Sequence, residues 1–141
     1  MATKERITRF TPLATIGSIL WCRFPQHIGV PGPKPRPALV LAASPTEHAL
    51  VVAYGTSQKT DKIYLGEFII PTTDPDFDLT GLAYDTKFNL NHRLKLYYTS
   101  EWFNVAPPRR SFPAPVSPRM GILPASYYDV VRKAAEHIKY T

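Results

Sequence analysis

Cysteine is almost absent from this chain: Cys22 is the only one. A disulfide within the chain is therefore impossible, and a cysteine-based zinc centre is excluded. Long apolar runs are missing too. No stretch approaches the roughly 18 residues that a spanning helix needs, so no membrane partner is expected. The first residues, MATKERITRF, are basic but lead into no apolar segment or small-residue cleavage site, which speaks against a secretory leader and for a cytoplasmic location. His27, His48, His92 and His137 lie far apart with no ligand spacing, so neither a metal nor another cofactor is expected. No serine sits in a G-x-S-x-G elbow. Acidic side chains are scarce at the start: residues 1–36 hold Lys4, Arg6, Arg9, Arg23, Lys34 and Arg36 against Glu5 alone.

What is present fits one domain. A chain of 141 residues with 44% hydrophobic and 20% charged residues can bury one modest core. Residues 1–16 read as an N-terminal arm and 17–141 as a single domain. Fifteen prolines, about twice the usual share, argue against a helical bundle and for short strands joined by stiff loops. Pro25 to Pro37 reads as a rigid loop, and Pro107 to Pro118 as an extended polyproline II segment. Strands are expected at 18–24, at 38–43 (a continuous apolar run suited to burial on both faces), at 48–54 and at 67–70. Two more are expected at 81–88 and 93–98, with a loop at 71–78 and a turn of helix at 100–103. Tyr127, Val130, Val131, Ala134, Ala135 and Ile138 recur at helical spacing, with Ser126 as the expected N-cap and Lys139 near the C-terminal end. The predicted fold is mainly β with a C-terminal helix: a small, strongly bent antiparallel barrel plugged by that helix.

The net charge of +6 makes RNA or DNA the leading class of partner. Asp74-Pro75-Asp76-Phe77-Asp78 resembles a calcium loop only superficially, because Leu79 stands where that loop needs glycine and Asp85 where it needs glutamate. Cys22 and Trp21, inside an apolar strand, read as core; Trp102 and Phe103 read as either core or a platform for bases.

An ordered series remains. Gly17-Ser18-Ile19-Leu20-Trp21 is followed by the Pro/Gly loop, then Arg36-Pro37-Ala38-Leu39-Val40, then a strand ending in Gly55-Thr56-Ser57-Gln58. Gly81-Leu82 with Asp85-Thr86-Lys87-Phe88, and Gly121-Ile122-Leu123 before the final helix, complete it. This order resembles the PemK/MazF family of toxins from type II toxin–antitoxin modules, over roughly residues 17–139. The resemblance implies a compact CcdB/PemK-type barrel, a homodimer, and growth inhibition by metal-independent cleavage of single-stranded RNA. It also implies a cognate antitoxin whose acidic segment covers the basic groove. CcdB-like toxins of the same fold inhibit DNA gyrase instead, so a non-catalytic protein-binding role is the alternative.

The resemblance puts Arg36 on the catalytic arginine, whose planar fork suits a phosphate, and Thr56 on the catalytic threonine. His27 falls where some relatives carry a functional histidine, and Asp85 on an acidic residue that positions or deprotonates the ribose 2′-hydroxyl. Those members carry arginine two residues earlier, where this chain has Ala83. Lys34, Ser57, Gln58, Lys59 and Lys62 are the candidate RNA-binding residues. Each site residue also has a structural reading: a turn for Arg36 and Thr56, a solvated loop for His27, a brace for Asp85.

Overall fold

The computed structural model describes residues 6–27, 29–110 and 112–136. Six antiparallel strands, β1 (Ser18–Cys22), β2 (Arg36–Ser44), β3 (Ala49–Thr56), β4 (Glu67–Ile70), β5 (Thr86–Tyr97) and β6 (Arg119–Ile122), form one sheet in the order β4-β5-β3-β2-β1-β6. A one-turn helix, α1 (Phe77–Thr80), and a terminal helix, α2 (Tyr128–Glu136), complete the elements. The chain is mainly β, as expected. The expected barrel is an open, curled half-barrel, with β4 and β6 as its two edges; α2 packs beside β4 and α1 beside β6.

The sheet is buried on both faces, and strand alternation explains how. Ile19, Leu39, Ala53 and Phe88 belong to one cluster; their neighbours Leu20, Ala38, Val40 and Val52 belong to the other. That division is why the β2 segment reads as an unbroken apolar run. Tyr127, Val131 and Ala134 cover the first cluster. The N-terminal arm covers the second: Phe10, Leu13 and Ala14 pack there, and the Phe10 amide donates to the Tyr98 carbonyl at 3.1 Å.

Three register shifts bend the sheet. The largest lies in β5, where Ala53 pairs with Arg93 but Tyr54 pairs with Asn89, so that residues 90–92 are extra. β5 is consequently one long strand where two were expected, and residues 81–85 lie outside it. Further departures are local. The 71–78 loop leads into α1, which ends at Gly81 in the left-handed region (φ 72°) with no room for a side chain against the Met120 carbonyl. β6 follows the proline-rich segment and, among the described residues, pairs with β1 alone. Residues 100–103 form a non-helical turn. α2 starts after a 3-10 turn at Ala125–Tyr127, so Ser126 lies inside that turn and does not cap the helix. The predicted helical positions Ile138 and Lys139, with His137, lie outside the described residues. Phe103 and Cys22 are fully buried, whereas Trp21 is only half-buried. Burial also raises the Cys22 thiol pKa steeply, leaving it a small core hydrophobe.

Candidate functional site

The strand ends that carry the candidate residues meet at one end of the sheet. Cys22 pairs with Arg36 and Thr56 with Lys87. The β2–β3 register, Ala38 opposite Tyr54, when continued sets Arg36 across from Thr56. Gly55 makes this approach possible: a Cβ there would stand 2.6 Å from the Pro37 carbonyl and 2.7 Å from the Phe88 ring. Residues paired across strands share a face. Cys22, Arg36, Thr56 and Lys87 therefore form a row on the face of the second cluster. Gly55 and Thr56 lie in β3 itself, and the turn begins at Ser57.

Beside this row is a cleft of about 440 Å³ whose walls include Arg36, Lys34, Gln26, Tyr54, Phe24 and His92. Its floor is aromatic. The His92 ring stands edge-on to Phe24 at 4.8 Å between centroids and tilted against Tyr54 at 5.3 Å. The β5 bulge is what carries His92 there. Desolvation lowers the His92 pKa, so its imidazole is neutral near pH 7 and has a nitrogen free to take a proton. Its ring nitrogens make no hydrogen bond to a described residue.

Arg36 is half-buried, and its side chain makes no hydrogen bond or ion pair with any described residue; exposed Lys34 is equally unengaged. Two cations, a neutral imidazole and aromatic faces in one cleft suit a phosphate bearing a base.

None of the remaining candidates lines this cleft, although Thr56 stands in the row beside it. His27 is exposed in the Pro/Gly loop, bridged to Val30. The Thr56 hydroxyl oxygen accepts the Gln58 amide at 3.1 Å, a turn contact that leaves the hydroxyl proton to donate. Asp85 accepts the Thr72 amide at 2.7 Å and borders a shallow groove with Ser57, Thr60 and Tyr84. Lys59 and Lys62 stand exposed on the 57–66 loop. That loop is fastened from beneath by Lys87, whose ammonium donates to the Lys62 carbonyl at 3.0 Å and to Glu67 at 3.3 Å. Ser57, but not Gln58, also borders a second, narrower cavity that reaches Arg36 from the opposite side.

His92 is the functional candidate that sequence reasoning missed. A lone histidine in Asn89-Leu90-Asn91-His92 carries no spacing signal, and only the bulge brings it to Arg36. Among the described residues, no three His, Cys, Asp or Glu side chains group to hold a metal ion, and no helix is long and apolar enough to cross a membrane. No protein-family model matches this chain, and no curated protein matches it.

Proposed function

We propose that this chain is a PemK/MazF-type toxin that cleaves single-stranded RNA, with Arg36 as the phosphate-holding residue. The single observation carrying the reading is Arg36 itself: a half-buried arginine, unpaired among the described residues, beside Lys34 and a neutral His92 in an aromatic cleft. A guanidinium left unpaired at the wall of a cleft can bind an anion in two-point fashion. The ordered motifs and the curled antiparallel sheet support the family type, and with it come a homodimer, a cytoplasmic location and an acidic antitoxin over the basic groove.

The chemistry follows from the residues. His92 takes the proton of the ribose 2′-hydroxyl, and the freed O2′ attacks phosphorus. Arg36 neutralises the non-bridging oxygens as charge builds, with the Thr56 hydroxyl across from it as a further donor. The P–O5′ bond breaks, and the departing oxygen takes a proton at the rim, where Lys34 supplies an ammonium. The products are a 2′,3′-cyclic phosphate and a 5′-hydroxyl end.

Incubating the purified protein with a diverse RNA pool in EDTA tests the reading. Cleavage leaving those two end groups, lost in Arg36→Ala, supports it. Intact RNA throughout, or equal cutting by both proteins, overturns it. Tight RNA-independent capture of gyrase alongside intact RNA points to the non-catalytic alternative.

A further inference from the structure

We infer that Arg36 stands between two nucleobase subsites, so that RNA is read one base to each side of the bound phosphate. The inference rests on the RNA reading above. Its observation is that the aromatic cleft and the second cavity share one wall residue, and that residue is Arg36.

The second cavity is a slot of about 180 Å³, bordered by Trp21, Pro37, Tyr84, Met120 and Ser57. Sites for larger ligands run to roughly 300–1,000 Å³, so the slot suits one planar ring system. Its chemistry fits a base: an indole, a phenol and a proline ring for the faces, a serine hydroxyl for an edge. The strand register explains why two cavities flank one arginine. Trp21 pairs with Pro37 and Cys22 with Arg36, so successive β2 residues belong to opposite faces of the sheet. The aromatic cleft opens on one side of that boundary and the slot on the other.

A phosphodiester joins two nucleotides through one anion. Held at Arg36, it leaves one base to lie against His92 and Tyr54 and the other to enter the slot beside Tyr84. Splaying the bases apart forgoes their mutual stacking, which the two aromatic walls replace. The reacting linkage is thereby fixed at the cation, and recognition of the step is coupled to its cleavage.

Binding of dinucleoside monophosphates with a 2′-deoxy sugar on the 5′ side, which cannot be cut, tests this by chemical-shift titration. Three ligands are compared: the full dinucleotide and two in which one or the other base is absent. For the wild-type protein, loss of either base weakens binding about tenfold. Tyr84→Ala, a change at a residue 69% exposed, weakens the full ligand by a similar factor and becomes indifferent to loss of one base. His92→Ala becomes indifferent to loss of the other. Both variants becoming indifferent to the same base, or a wild-type protein insensitive to either loss, overturns the two-subsite inference while leaving Arg36-dependent RNA binding intact. Failure of every ligand to bind, or unchanged binding by Arg36→Ala, overturns the RNA reading and the inference with it.

Discussion

Arg36 and Lys87 occupy the same end of the same sheet face, two strands apart, yet the protein treats them in opposite ways. Lys87 is 6% exposed and fully engaged, by the Glu67 carboxylate, the Lys62 carbonyl and the Tyr64 ring 5.4 Å from its ammonium. Arg36 is half-buried and has no ion-pair partner among the described residues. A desolvated cation that is paired within the fold holds the fold together; one left unpaired at a cleft is free for an anion from outside. Under the proposed reading the difference gives structural work to one residue and recognition to the other, and single substitutions can break that assignment.

The largest expected effect belongs to Lys87→Met. Removing one partner of a buried pair leaves Glu67, itself 9% exposed at its side chain, without its counter-charge, a loss on the order of 3–5 kcal/mol. Denaturant unfolding measures it, and the companion Glu67→Gln, Lys87→Met double variant should recover part of the loss. Arg36→Ala should do the reverse. Its unfolding midpoint stays near wild type, whereas RNA cleavage falls about 10²–10³-fold, the worth of one oriented charge-stabilising donor. A large stability loss in Arg36→Ala would erase the contrast between the two cations.

His92→Gln sharpens the same contrast at the other wall of the cleft. Loss of the proton acceptor should lower single-turnover cleavage at saturating RNA about a hundredfold, while RNA affinity falls by no more than the roughly tenfold worth of one base contact. The pH dependence carries a sign. Because desolvation lowers the folded-state pKa of His92, cleavage should persist below the ordinary histidine value of about 6.5 and fall only as pH drops through the depressed one. The unfolded chain protonates first on acidification, so the same residue contributes stability that is present above the ordinary value and lost as pH falls through the folded one. Comparing thermal midpoints of wild type and His92→Gln across that range measures the slope, which the variant should lack.

Much of the fold was legible because it is locally encoded. The Ala38–Ala43 run announces a strand buried on both faces, and Leu39 and Val40 do fall into opposite clusters. Arg36 was legible as a phosphate-binding candidate, and β3 carries Thr56 opposite it. What escaped depends on contacts distant in sequence. The Asn-rich stretch at 89–92 has the look of a turn between two strands, but pairing with both β3 and β4 makes it a bulge inside one. His92 was missed for that reason. β6 is four residues long and gains its identity only from β1, while Trp21, expected in the core, is left half-buried beside a cavity that Tyr84 and Met120 complete. That Arg36 lacks a partner among the described residues and Lys87 has one is a tertiary fact with no local signature.

Asp85 should give the smallest effect, and its test bears directly on which group takes the proton. Its carboxylate already accepts the Thr72 amide, and it borders the shallow groove with Ser57, not the aromatic cleft. An amide oxygen can accept the same hydrogen bond, so Asp85→Asn should keep the brace and change stability by no more than about 0.5 kcal/mol. Cleavage should stay within a few-fold of wild type, since the substitution removes a charge from a rim that the reaction as drawn does not use. Single-turnover rates for Asp85→Asn and His92→Gln, measured side by side, decide the matter. A hundredfold loss in the aspartate variant with its fold intact would transfer the proton-accepting role from the imidazole to the carboxylate, and with it move the reacting ribose from the aromatic cleft to the groove beside Ser57.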